Sequence, residues 1–181
     1  MRRRRSYKYA IPRAIKVSKY SNETYGAQIE LQHPGGGNTS PYIAKATLID
    51  VGGASNVLGT RKVKNFTISL SINQYQLANG DILNNSVMWA LVFVPQGTTA
   101  GDLYTTQGAD VFSLFEPNQN VIMSGLINGQ TGVLTKYSPL SRNLNYGDKV
   151  IIILQTADGW NQGALLACKV NVQLNFALTF R

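Results

Sequence analysis

Histidine and cysteine are nearly missing from this chain: His33 and Cys168 are the only ones among 181 residues. A Ser-His-Asp triad or a histidine-rich metal site needs more than one imidazole beside Pro34-Gly35-Gly36-Gly37. A single cysteine closes no internal disulfide, so nothing points to an oxidising compartment. Cys168 falls on the apolar side of an alternating segment, where a buried, inert thiol is expected. The nine acids stand singly. Asp81, Asp102, Asp110 and Asp158 lie in loop-like sequence without calcium-loop spacing. Gly35-Gly36-Gly37 is not followed by Gly-Lys-Ser/Thr, so it is not a phosphate loop. No apolar run reaches the ~18 residues of a membrane-spanning helix. The cationic start has no apolar stretch behind it, so a secretory signal is not expected either. These absences argue against an enzyme and against a bound metal or cofactor.

The chain does carry an unusual distribution of charge. Residues 1–20 hold Arg2, Arg3, Arg4, Arg5, Lys8, Arg13, Lys16 and Lys19 and no acid. Residues 21–181 hold nine cations and nine acids, so the whole formal +8 resides in the first segment. A basic arm (1–20) and a neutral body (21–181) are therefore expected. Successive arginines repel one another and bury nothing, which predicts a disordered arm. A phosphate backbone would neutralise it and release counterions, giving strong, salt-sensitive, sequence-independent binding. Arginine also forks onto phosphate with two hydrogen bonds, and Tyr7, Tyr9 and Tyr20, interleaved with the cations, suit stacking on unpaired bases. The same run suits a nuclear-import receptor. The bland alternative is a solubility tail.

The body alternates with period two, as strands do. Tyr25, Ala27, Ile29 and Leu31 share one side of a first strand, and a second runs over 42–51. A third, with Phe66, Ile68, Leu70 and Ile72 inward, follows the basic cluster Arg61, Lys62 and Lys64. Strand four (86–94) is apolar on both sides and should be covered on both. Residues 95–118 read as one long connection. Segments 121–127 and 133–137 read as a strand pair with Asn128-Gly129 as its turn, 138–148 reads as a loop, and 149–156 is an apolar strand. The last strand carries Cys168, Val170, Val172, Leu174, Phe176, Leu178 and Phe180 on one face.

Eight strands and no persuasive helix predict an all-β domain: a single eight-stranded antiparallel jelly roll, a two-sheet sandwich, with an up-and-down barrel second. The long connections at 51–60, 73–85, 95–119 and 138–148 favour the jelly roll, where each can cross between sheets.

Three segments carry a family resemblance: Trp89-Ala-Leu-Val-Phe-Val-Pro-Gln-Gly97, Phe115-Glu-Pro-Asn-Gln-Asn-Val-Ile-Met-Ser-Gly125 and Tyr137-Ser-Pro-Leu-Ser-Arg-Asn-Leu-Asn-Tyr-Gly-Asp148. In this order, after an arginine-rich start, they resemble capsid proteins of circular single-stranded DNA viruses that encode a replication initiator (CRESS-DNA viruses), circovirus-like capsids among them. The resemblance covers roughly residues 60–181 and the composition of the arm. It implies a coat protein that assembles with itself into a small icosahedral (T=1) shell of about 60 copies. The arm would lie inside against a single-stranded DNA genome. It further implies residence in the virion, passage through the host nucleus, and a nuclear-import and a cell-surface receptor as partners, with no membrane. Eight cations per arm give about 480 charges per shell, and Arg61, Lys62 and Lys64 are the next candidates to neutralise phosphate.

The body agrees with association on its own terms. Its charged residues are 18 of 161, nine of each sign, against an ordinary share near 25 %. Tyr42, Tyr104, Tyr146 and Trp160 sit in or beside loops, where aromatics anchor interfaces. Two other readings compete. A jelly-roll carbohydrate-binding module, with Trp160 or Tyr42 stacking on sugar, leaves the arm unexplained. A monomeric single-strand nucleic-acid-binding protein explains the arm but would carry its cations on the β body.

Overall fold

A computed structural model describes residues 19–32, 43–51, 60–73, 86–100, 103–105, 112–114, 120–128, 132–156 and 167–180. Ten strands follow in chain order: β1 (Ser21–Gln32), β2 (Ile43–Asp50), β3 (Arg61–Asn73), β4 (Ser86–Val94), β5 (Leu103–Thr105), β6 (Phe112–Leu114), β7 (Val121–Asn128), β8 (Leu134–Leu144), β9 (Lys149–Thr156) and β10 (Ala167–Phe180). Among the described residues no helix is long and apolar enough to cross a membrane.

The pairing is nested. β1 pairs with β10, β2 with β9, β3 with β8, β4 with β7 and β5 with β6, all antiparallel. The chain is thus one long hairpin doubled back on itself. Two lateral ladders, β10 with β3 and β4 with β9, roll that hairpin into two four-stranded sheets. Sheet A runs β1-β10-β3-β8 and sheet B runs β2-β9-β4-β7. This is the jelly roll that the connection lengths favoured, not the up-and-down barrel.

Period-two alternation turns one side of every long strand inward. Val63, Phe66, Ile68 and Leu70 of β3 and Val170, Val172 and Leu174 of β10 meet Val87, Trp89 and Leu91 of β4 and Val150, Ile152 and Leu154 of β9 in one core. Each such side chain contributes about 1.5–3 kcal/mol by leaving water. The first strand tapers. Ile29 and Leu31 are buried, but Tyr25, on the same side, is 46 % exposed and stacks on Phe176 at 5.7 Å between ring centroids.

Strand four is covered on both sides, as its composition required. Ala90, Val92 and Val94 form a second buried apolar cluster with Ile153 on the outward side of sheet B. Met88, Val121 and Ile151 pack against it, and Lys45 Nζ donates to the Ala100 carbonyl at 2.9 Å beside it.

Three sequence expectations are corrected. Segments 121–127 and 133–137 do not pair with each other, because β7 lies against β4 in sheet B and β8 against β3 in sheet A. Residues 138–148 are not a loop, because β8 continues to Leu144. Pro139 obscured this, since proline interrupts most strands. Here β8 is a sheet edge, and Pro139 falls where its register against β3 shifts, between Ser138 and Ser141, a place where a missing donor is tolerated. The span 95–118 is not one uniform connection, because it contains β5 and β6. Three residues are too few for alternation to show.

Candidate nucleic-acid interface

Of the eight arm cations, Arg2, Arg3, Arg4, Arg5, Lys8, Arg13 and Lys16 lie outside the described residues, and Lys19 is within them. Tyr20 follows, immediately before β1. Its ring lies under Lys64, whose Nζ is 3.8 Å from the ring centroid. Such a cation–π contact contributes about 0.5–1 kcal/mol where it is exposed. It ties the C-terminal end of the basic segment to one end of sheet A.

Lys62 and Lys64 reach that sheet's outward side through an irregularity in β3. In plain alternation Lys62, Lys64, Phe66, Ile68 and Leu70 would share one face, which would bury two lysines in the core. Asn65 prevents this. Its φ is 57°, in the left-handed region that asparagine enters more readily than most residues. Across the ladder Lys64 opposes Ala177 while Thr67 opposes Asn175, so Asn65 and Phe66 together face Phe176. The extra residue is a β-bulge that reverses the alternation. Phe66 turns inward with zero exposure, and Lys62 and Lys64 turn outward beside Thr67 and Ser69. Arg61 is separated from them. It shares its side with buried Val63 and Leu144, and its Nε is itself buried. The structure therefore divides the basic cluster between the two faces of β3.

The outward side of sheet A is a field of amides and hydroxyls arranged in cross-strand rows. Thr24, Asn175, Thr67 and Tyr137 form one row, and Gly26, Gln173, Ser69 and Thr135 the next. Hydrogen bonds knit the rows. Thr24 Oγ1 donates to Asn175 Oδ1 at 2.6 Å, Gln28 Nε2 to Asn171 Oδ1 at 3.0 Å and Tyr137 OH to Asn65 Oδ1 at 3.2 Å. Because Gly26 has no side chain, the surface dips there into an open concavity of about 530 Å³, bordered by Gln28, Ser69, Asn171 and Gln173. A second one of about 340 Å³ lies toward Asn65 and Asn175. Tyr137 is 61 % exposed on this side. Sequence reasoning saw the polar half of β10 only as its solvent side. It placed Tyr137 at the end of the strand segment 133–137 and gave it no role.

The described parts of the three segments that carry the resemblance meet in space, and their roles there are structural. The Pro95–Thr98 and Asn145–Asp148 turns each close with a backbone bond of 3.1 Å, Thr98 N–H to Pro95 and Asp148 N–H to Asn145. Each turn has a glycine of positive φ at its third position, Gly97 at 77° and Gly147 at 86°, as a type II turn requires. The Asp148 carboxylate clasps both turns. Its Oδ1 accepts from the Gln96 N–H at 2.9 Å and its Oδ2 from the Asn145 N–H at 2.7 Å. Nearer the middle of the sandwich, Trp89 opposes Gly125 across the β4–β7 ladder. A Cβ at Gly125 would stand 3.2 Å from the Trp89 Nε1, so the indole would have to give by a few tenths of an ångström to admit one. Lys136 Nζ covers the same ring at 5.6 Å and donates to the Ser124 carbonyl at 3.1 Å. Tyr146, one of the proposed interface aromatics, is 52 % exposed; Tyr42 and Trp160 lie outside the described residues, as does the side chain of Tyr104.

Cys168 is buried on the inward side of β10. Desolvation pushes its thiol up to about 11 from 9.0, against a smaller lowering by a backbone hydrogen bond. Two pKa units reduce the thiolate fraction at pH 8 about a hundredfold. Native protein should therefore react with iodoacetamide at least that much more slowly than urea-unfolded protein, and equal rates would contradict the burial. Since the folded pKa is the higher one, the unfolded chain loses its proton first, and this residue lowers stability as pH rises from about 9 to 11. Among the described residues no three His, Cys, Asp or Glu side chains gather as a metal site would require.

No protein-family model and no curated protein matches the sequence. Among solved structures the chain is similar to the decameric BFDV capsid protein, at 9% identity and a TM-score of 0.41 over 90% of this chain and 99% of that one. It is also similar to a chain of the Cowpea Mosaic Virus empty virus-like particle, at 12% identity and a TM-score of 0.38 over 89% and 83%. A third similarity is to the nora virus structure, at 12% identity and a TM-score of 0.35 over 98% and 67%.

Proposed function

We propose that this chain is a viral coat protein that assembles with itself into a closed shell and holds a nucleic-acid genome through its cationic first segment. One observation carries the reading. The segment that holds the whole excess charge runs directly into β1 of a jelly roll whose body is neutral. Binding and building are thereby separated along one chain, as a protein that must both tile a surface and condense a polyanion requires.

Further observations support it. The body has few charges, and exposed apolar side chains occur on the rim that β7 and β8 form, at Leu126, Val133 and Leu140, where neighbouring copies would exclude water. A T=1 shell of about 60 copies, a single-stranded DNA genome, residence in the virion and passage through the nucleus follow from the resemblance of the three segments, and they complete the proposal. The neutral amide field also suits sugars, but a carbohydrate module has no use for eight clustered cations.

The test is size. Purified protein at moderate salt should elute as nuclease-resistant particles of megadalton mass and appear as uniform shells by electron microscopy. A monodisperse monomer of about 20 kDa under every assembly condition, with the fold intact by circular dichroism, would overturn the proposal.

A further inference from the structure

Resting on that reading, we infer that the outward side of sheet A is a second nucleic-acid contact, which receives the bases of the strand whose phosphates the arm holds. The contact joins Tyr20 and Lys64 at one end of the sheet to Tyr137 and the Gly26 concavity at its middle.

Three features point to this face and this occupant. The arm is delivered to it: Tyr20 is held beneath Lys64, so a strand bound along residues 2–19 is brought to the outward side of β3 and β10. The charge is complementary. Lys62, Lys64 and Lys169 lie outward with Glu30 as the acid opposite Lys169, whereas the outward side of sheet B is centred on Ala90, Val92 and Ile153. The chemistry suits unpaired bases rather than a duplex. Side-chain amides of Gln28, Asn171 and Gln173 offer both donors and acceptors, which bases match on their edges. Tyr137 offers an exposed ring, and stacking on such a ring tolerates any base.

The bulge at Asn65 makes the arrangement possible. It turns Lys62 and Lys64 to the outward face, and its side chain accepts the Tyr137 hydroxyl proton at 3.2 Å, which sets the ring's position. A face with three lysines and one acid binds weakly alone. Joined to the arm it sees the strand at high effective concentration.

The test uses full-length protein in a non-assembling buffer with a 30-nucleotide oligothymidylate carrying 5-iodouracil. Ultraviolet crosslinks should map to Tyr137 and to β3 and β10 peptides as well as to the arm. Tyr137→Ala should weaken binding roughly fivefold, the loss expected of one stacked base, without changing the salt slope. Gly26→Glu should weaken it by a similar factor. Its Cβ has ordinary clearance, 3.7 Å to the Val172 carbonyl, so the variant folds and places an anion in the concavity. Crosslinks confined to residues 1–19, or unchanged affinity in both variants with normal circular dichroism, overturn this inference and leave the coat-protein reading standing. Absence of any binding overturns both. Lysine-directed crosslinks joining the Lys62–Lys64 faces of two copies would show a subunit interface there, and also overturn it.

Discussion

Removal of residues 1–18 should abolish nucleic-acid co-purification and leave the thermal unfolding of the β body within about 2 °C of the full chain. The deleted stretch carries Arg2, Arg3, Arg4, Arg5, Lys8, Arg13 and Lys16, seven of the eight arm cations. Each phosphate neutralised on a single strand contributes about −0.7 to the slope of log affinity against log salt, so seven contacts give a slope near −5. The truncated protein should retain a slope no steeper than about −3, from Lys19 and the three sheet-A lysines. The cut stops before Lys19 and Tyr20 because Tyr20 contacts Lys64 and belongs to the folded part. The measurement is the ratio of absorbance at 260 and 280 nm after purification, with oligonucleotide titrations at several salt concentrations. An unchanged nucleic-acid content, or a slope that the truncation does not alter, would contradict the role of the arm. A selective preference for one sequence would contradict the electrostatic mechanism, because phosphate contacts carry no sequence information.

The second large effect is on folding. Asp148→Ala should destabilise the body by about 2–5 kcal/mol, since it strands two backbone N–H donors, each costing about 1–3 kcal/mol when left without a partner. Asp148 is 5 % exposed, and its two oxygens hold Gln96 and Asn145. Its own carbonyl accepts the Val51 N–H at 3.2 Å, so the end of β2 is tied to the same point. For a body of this size the melting temperature should fall by roughly 5–15 °C. Asp148→Asn should fall between wild type and Asp148→Ala. One amide oxygen can still accept from one N–H, while the NH2 group faces the other donor. Melting curves of the three proteins check this. Equal stability of Asp148→Ala and wild type would show that water satisfies both turns and that the clasp is dispensable.

These two effects fall on different parts of the chain and should be independent. The arm deletion changes binding at constant stability, and the Asp148 variants change stability in a body whose formal charge alters by one. Melting temperature and salt slope together separate the two roles.

Much of this was legible in order of residues alone. Charge needs no fold to be counted, so the division into a cationic segment and a neutral body was plain. Alternation is a local property, and it placed β1, β2, β4, β7, β9 and β10 closely, including the double-sided burial of β4. Polarity patterns could not find the upper half of β8, because a proline in an edge strand looks the same in sequence as a proline in a loop. They also could not sort Arg61, Lys62 and Lys64. Strict alternation groups Lys62 and Lys64 with Phe66 and Ile68, and only the reversal at Asn65 separates lysines from core. That reversal depends on how β3 is shared between β10 and β8, a relation among three strands far apart in the chain. The clasp of Asp148 on Gln96, and the approach of Trp89 to Gly125, are of the same kind. Sequence determined which residues could bind phosphate and which had to be buried, because charge and hydrophobicity belong to single side chains. Tertiary structure decided which of them face the same way, because a strand's face is set by register, and register is a property of pairs.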